Sequence, residues 1–151
     1  MKNNLFNYLS ALLFVTITSC GSTKDASINN TRWELNEVEG VVIDYIVNPK
    51  AQIFLTFDES QNKFSGSTGC NTIGGKLTTE GSKMHLADIF STQMACPKMQ
   101  AEREYLRLLE TVDNYKLNGK KLILYQGTKQ IASYTRSKNP VPPIPPATKP
   151  N

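Results

Sequence analysis

The chain is 151 residues long, 39% hydrophobic and 20% charged, with 17 basic and 13 acidic side chains giving a formal net charge of +4. That excess is mild and reads as spread along the chain, with no Lys/Arg block and no basic stripe interleaved with aromatics. Nucleic acid is therefore a poor candidate partner.

The opening sets Lys2 before an apolar run from Leu5 to Ile17, broken only by Asn7, Tyr8, Ser10 and Thr16. A cation followed by a short apolar stretch is the layout of a secretory signal. As a helix the run rises roughly 20 Å, short of the roughly 30 Å hydrocarbon core, so a spanning helix is disfavoured. It ends in Ile17-Thr18-Ser19-Cys20, which resembles the lipobox of bacterial lipoproteins. Residues 1–19 are then the signal peptide, and the Cys20 thiol accepts the diacylglycerol. Acyl chains contribute about 0.8 kcal/mol per buried methylene, enough to hold a domain on a bilayer when two or more are attached. Gly21, where Asp would favour retention in the inner membrane, points to the outer membrane of the cell envelope. Residues 20–30 are small and polar after the cysteine and read as a flexible tether.

The stretch 31–136 reads as one domain, about 105 residues, enough for a single core. Thr31 to Val38 alternates Trp33, Leu35 and Val38 with polar partners. Gln52 to Asp58 sets Ile53, Leu55 and Phe57 against Phe54 and Thr56. Such alternation marks strands with one buried face. Lys63 to Ser67, Thr72 to Thr79 and Lys83 to Ile89 continue in short pieces punctuated by glycines. From Pro97 to Asp113 the apolar residues Ala101, Tyr105, Leu108, Leu109 and Val112 instead follow the stripe of an amphipathic helix, with Arg103, Glu104, Arg107 and Glu110 outside. Asn118-Gly119 is a hairpin-turn dipeptide. Lys121 to Tyr125 and Gln130 to Thr135 form a last pair across Gly127. The expected fold is mainly β with one helix: a small antiparallel β-barrel or half-barrel capped by that helix. Residues 137–151 hold most of the prolines, cannot join a sheet, and read as a Pro-rich disordered tail.

Several of these residues together resemble a known family. Thr31-Arg32-Trp33-Glu34-Leu35, Gly69-Cys70-Asn71 with Gly74-Gly75, Thr92-Gln93-Met94-Ala95-Cys96, Glu102, Leu106 and Leu109, Tyr115 and Lys121-Leu122-Ile123-Leu124 occur in the order of the META domain. This is the HslJ-like family of heat-shock-associated bacterial lipoproteins. The resemblance spans Thr31 to Arg136 and implies a barrel-like antiparallel fold, one helix and an envelope location. It supplies no catalytic residue. Members are linked to stress and antibiotic tolerance, a phenotype rather than an activity. The segment Glu39 to Lys50 matches the family pattern only loosely and reads as a loop of this chain's own.

The chemical candidates are few. With Cys20 lipidated, Cys70 and Cys96 remain, and in an oxidising compartment an even pair is first read as a disulfide. Closing about 25 residues, it stabilises by roughly 3.5 kcal/mol on the chain-entropy model. Two thiols placed side by side are the other structural reading. A nucleophilic Cys70 or Cys96 would need His85, the only histidine, as its base. Zinc on Cys70, His85 and Cys96 lacks the close paired spacing of known sites. The Gly69 to Gly75 glycines are not followed by a Lys-Ser/Thr pair, and no helix starts there; a turn or bulge explains them better than a phosphate cradle. Asn71 is expected to satisfy backbone groups beside that turn. Glu34, Glu37, Asp58, Glu59, Glu80, Asp88, Glu102 and Glu104 are scattered singly. No cofactor or metal is expected. The function read from the sequence is a non-enzymatic envelope lipoprotein module that binds a protein, a hydrophobic segment or a small apolar ligand in the groove between barrel and helix. An envelope enzyme using His85 with a cysteine, or scattered carboxylates, is the alternative.

Overall fold

The computed structural model describes residues 27–41, 52–95, 99–139 and 141. The signal and lipidation readings, Cys96, Pro97, the segment 42–51 and nearly all of the proline-rich tail lie outside the described residues.

Eight strands alternate in direction: β1 (Trp33–Val38), β2 (Phe54–Asp58), β3 (Lys63–Ser67), β4 (Thr72–Glu80), β5 (Lys83–Ser91), then, after helix α1 (Met99–Glu110), β6 (Asn114–Asn118), β7 (Lys121–Gln126) and β8 (Lys129–Arg136). Each pairs antiparallel with the next, and β8 returns to β1 from Trp33↔Arg136 to Val38↔Ala132, closing the sheet into a ring. The short strands and single helix expected from the sequence are thus present. Because directions alternate, the β3–β4 turn, the β5–α1 link and the β7–β8 turn gather at one end of the ring. The β2–β3, β4–β5 and β6–β7 turns gather at the other, where the described chain also enters and leaves.

The period-two pattern dictates the interior. Trp33, Leu35, Leu55, Phe57, Phe64, Ile73, Leu77, Leu122, Leu124 and Tyr134 all point into one core, where the largest of them are fully buried. Outside, the ring is covered locally: the Arg32 guanidinium sits 3.5 Å from the centre of the Phe54 ring, and the Thr56 hydroxyl pairs with that of Ser65 at 2.7 Å. Two strand glycines are required by close approach. A Cβ at Gly66 would lie 2.2 Å from the Phe54 carbonyl oxygen, and one at Gly75 would lie 2.6 Å from that of Ala87. Opposite Gly75, Asp88 and Ile89 together occupy one step of the ladder, a β-bulge. Its first residue, Asp88, adopts a left-handed φ of 50°, a place usually given to glycine. Gly74 and Gly75 therefore belong to a bulge rather than to an anion cradle.

Helix α1 buries Tyr105, Leu108 and Leu109, three of the five stripe positions. Val112 is also buried, beyond the helix end. The Thr111 and Val112 amides bond back to Leu108 and Leu109, three residues earlier, tightening the last turn and ending the helix at Glu110. The Tyr105 hydroxyl meets that of Tyr134 at 3.0 Å inside the core. Burial, reinforced by Tyr105, pushes the Tyr134 phenol well above its ordinary range, so the Tyr134 hydroxyl stays neutral.

Two boundaries and one strand differ from the sequence expectation. Ile28 to Asn30, assigned to the tether, belong to the domain. Ile28 is buried and its carbonyl accepts the Trp33 indole N–H at 3.0 Å. Asn29 bridges to Phe57, and its side chain bonds Glu59 through both amide groups. At the other end Ser137, assigned to the tail, donates its amide to the Arg32 carbonyl at 2.8 Å, and its hydroxyl bonds Glu34 at 2.5 Å. Strand β6 was not anticipated; its half-buried Tyr115 and Leu117 alternate over too short a run to stand out between a helix end and a turn.

Leu109 is fully buried while Arg107 is exposed and paired with Glu104 within the helix. Leu109→Ala should therefore destabilise by about 2–5 kcal/mol, whereas Arg107→Ala, on the exposed face, should be nearly neutral. Urea unfolding of both variants compares the two; equal losses would contradict this packing.

Candidate functional site

Three of the segments that carry the family resemblance, around Asn71, Thr92–Met94 and Glu102, meet at the ring end formed by the β3–β4 turn. In that turn the Thr68 amide donates to the Asn71 carbonyl at 2.9 Å, and the Asn71 amide returns a bond to the Thr68 hydroxyl at 2.9 Å. This reciprocal pair points the Asn71 side chain inward, leaving it 3% exposed. Its carbonyl oxygen accepts from the Thr92 hydroxyl at 2.8 Å and from the Met94 amide at 2.9 Å. Its NH2 group donates to Glu102 at 2.9 Å. The other Glu102 oxygen accepts the Thr68 hydroxyl at 2.8 Å, with Ser91 at 3.5 Å.

One amide side chain thus joins three separate pieces of sequence: the glycine-cysteine-asparagine turn, the segment after β5 and the first turn of α1. Glu102 is well placed there, since a carboxylate in a first helical turn complements the helix dipole. Along the sequence no helix begins at the glycine-rich turn, but in space the start of α1 rests against it, and the negative charge it meets is the protein's own. The role expected for Asn71, satisfying backbone groups, is seen at Met94; its bond to Glu102 was not foreseen.

Around this buried node the surface is apolar. Phe90, Met94 and Met99 are 63%, 58% and 44% exposed. A Cβ at Gly74 would fall 2.6 Å from the Phe90 ring, so that ring lies over β4 just beyond Asn71. Met94 is held by Asn71, and Met99 opens the helix whose first turn holds Glu102. The three side chains therefore line one rim of the ring.

The other candidates are dispersed. His85 is exposed and pairs with Thr78, six residues down β4 from Thr72, which places it about 20 Å along the strand from the Cys70 turn. The structure does not bring His85 and Cys70 together as a nucleophile and base. Among the described residues no three His, Cys, Asp or Glu side chains are grouped to hold a metal. The carboxylates are engaged one by one. Glu34 receives Ser137 and Asn139, and Glu59 receives Asn29 and Thr79. Asp58 takes Ser60 and the Gln61 amide, while Asp88 pairs with Lys76 at 2.6 Å. Gln130 and Ser133 donate to Glu37 and hold its carboxyl below the ordinary range.

An eight-stranded antiparallel ring with one helix linking β5 to β6, fastened by an asparagine–glutamate node, defines a class of small β-rich domains. The chain belongs to the META-domain family, whose sequence profile matches residues 26–139. That span includes Ile28 and Ser137, in accord with the extended boundaries above. Among solved structures, a Burkholderia xenovorans protein determined by NMR is similar at 24% identity and a TM-score of 0.57, over 74% of this chain and 85% of that one. A DUF4847-family protein from Bacteroides vulgatus is similar at 17% identity and a TM-score of 0.53, over 74% of this chain and 96% of that one. Both likenesses concern the fold. No curated protein matches the chain.

Asn71→Ala should leave the Met94 amide and the Glu102 carboxylate short of partners at a cost of about 2–4 kcal/mol, since bonds to charged groups contribute roughly 1.5–3 kcal/mol. Asn71→Asp keeps the acceptor for Met94 but sets a repelling oxygen against Glu102, so at neutral pH it should be no better tolerated than Ala. Denaturant midpoints of both variants measure this; a wild-type midpoint for either would remove Asn71 from its central position.

Proposed function

We propose that this META-domain protein is a non-enzymatic module of the bacterial envelope, anchored through Cys20 in the outer membrane, whose Phe90–Met94–Met99 rim binds an apolar segment of another envelope protein. The observation that carries the reading is that rim: three large apolar side chains held in water by a rigid, hydrogen-bonded support. Exposed apolar clusters on a well-packed domain mark interaction sites, and methionines adapt to varied partners. The ring interior is occupied by its own large side chains, so binding is assigned to the rim rather than to the barrel lumen. The lipid anchor is supported by the lipobox at residues 17–20 behind a short apolar run.

The Cys70–Cys96 disulfide belongs to the same proposal, as a brace and not as a reactive group. Asn71, the neighbour of Cys70, binds the Met94 amide, two residues before Cys96, so the two segments run side by side where a bridge needs Cα atoms within about 7 Å.

Cys20→Ala should move the protein from the membrane to the soluble fraction, and mass spectrometry of the mature N-terminal peptide should find Cys20 acylated. An unmodified Cys20 would sink the anchor. Cross-linking in solubilised envelope should capture a protein partner that Phe90→Ser with Met94→Ser loses while retaining the wild-type melting temperature; an unchanged capture pattern would refute the rim. Thiol titration of the unreduced, denatured mature chain should find Cys70 and Cys96 both blocked, and two reactive thiols there would eliminate the bridge.

A further inference from the structure

The charges of this chain are segregated. All 13 carboxylates lie at or before Asp113, whereas seven of the 17 Lys and Arg residues follow it. A net charge of +4 conceals this, and the impression of an evenly spread excess is wrong for the last quarter of the sequence.

In the fold residues 114–136 of that quarter form one continuous wall, β6–β7–β8. Lys116 and Lys121 stand on its outer face, since their ladder neighbours Leu117 and Leu122 face inward. Lys120 occupies the β6–β7 turn, and its carbonyl accepts the Arg136 amide at 2.8 Å, bringing the end of β8 and Lys138 beside the turn. At the opposite end of the wall Lys129 is paired with Glu39. Among the described residues Lys116, Lys120, Lys121 and Lys138 have no carboxylate within ion-pair distance. The acids nearest this wall are already engaged: on β1, Glu34 pairs with Arg32 and takes Ser137 and Asn139, and Glu37 takes Gln130 and Ser133 with Lys121 in its electrostatic neighbourhood, while Glu59, whose charge reaches Tyr115 of β6, takes Asn29 and Thr79.

The chain enters the domain at this basic corner: Arg136 donates to the Ser27 carbonyl at 3.3 Å. Six residues lie between Cys20 and Ser27, and the seven steps from one to the other reach at most about 24 Å fully extended. An anchor at Cys20 therefore keeps the corner within a few Debye lengths of the headgroups, about 10 Å each at 0.1 M salt.

We propose that Lys116, Lys120, Lys121 and Lys138 form a docking surface for the anionic phospholipid headgroups of the membrane, seating the ring tether-end down with its Phe90–Met99 rim facing away. The orientation rests on the lipid-anchor reading above, whereas the electrostatic contact stands without it and is tested without acyl chains.

The test uses the chain from residue 20 onward carrying Cys20→Ala, sedimented with vesicles of phosphatidylcholine alone or with about one-third phosphatidylglycerol. Binding to the anionic vesicles alone is expected. It should fall at least about tenfold between 0.05 and 0.5 M salt, and fall comparably in the fourfold Lys→Gln variant at these positions, whose melting temperature should be unchanged. Glu104→Gln with Glu110→Gln, on the helix, should bind as wild type. Equal binding to both vesicle types, none to either, or full binding by the fourfold variant would overturn the proposal. So would displacement by millimolar inorganic phosphate at constant ionic strength, which assigns the corner to a free anion, or tighter binding to duplex DNA than to the vesicles. The anchor is judged separately, by acylation of Cys20 in cells.

Discussion

The join between β5 and β6 is a single residue pair, Lys83↔Asn114, extended only by the Met84–Asp113 and Tyr115–Ser82 backbone bonds. Every other neighbouring pair in the ring has at least two ladder positions, most of them five or more. The chain leaves the ring after β5, forms α1, and resumes at β6, so the helix must supply the burial that the missing ladder cannot. It does so with Tyr105, Leu108 and Leu109 inside and with the Asn71–Glu102 bond at its first turn. A buried amide that satisfies a carboxylate and a backbone N–H together is costly to break. The position of α1, and with it the whole rim, depends on that side chain.

The same dependence explains why the site is made of motif residues without chemistry. Asn71, Thr68, Thr92 and Glu102 are polar, clustered and partly buried, a profile that elsewhere marks catalysis. Here those side chains are engaged with one another and with the Met94 amide and the Ser91 hydroxyl. What the node exposes is apolar: Phe90, Met94 and Met99. A rigid polar support under a hydrophobic surface is suited to recognition, because a preorganised face loses little entropy on binding.

The strands with clean alternation, β1 and β2, were legible in the sequence because one-sided burial writes a period of two. The α1 stripe was legible for the corresponding helical reason. β6 was not, since Tyr115 and Leu117 are only half buried and its partner on one side is nearly absent. Ile28 was hidden in a polar stretch whose burial depends on the Trp33 indole five residues on, a tertiary contact without a local signature. The Asn71–Glu102 pair spans 31 residues and nothing in one dimension links them. The basic wall was visible in principle, as an absence of acids after Asp113, but a whole-chain charge averages it away.

The capture of Ile28 and Ser137 sets both exits of the domain on neighbouring strands at one end of the ring. β1 begins where β8 finishes, with Trp33 opposite Arg136. Tension applied between the N-terminal and C-terminal segments would load the β1–β8 ladder from that shared end, one rung after another, as a zipper opens. Ladders loaded lengthwise share the force across all their rungs, whereas this one would yield progressively. Its first resistance is the Ile28–Trp33 and Arg32–Ser137 bonds, so the strap that completes the fold is also its mechanical latch.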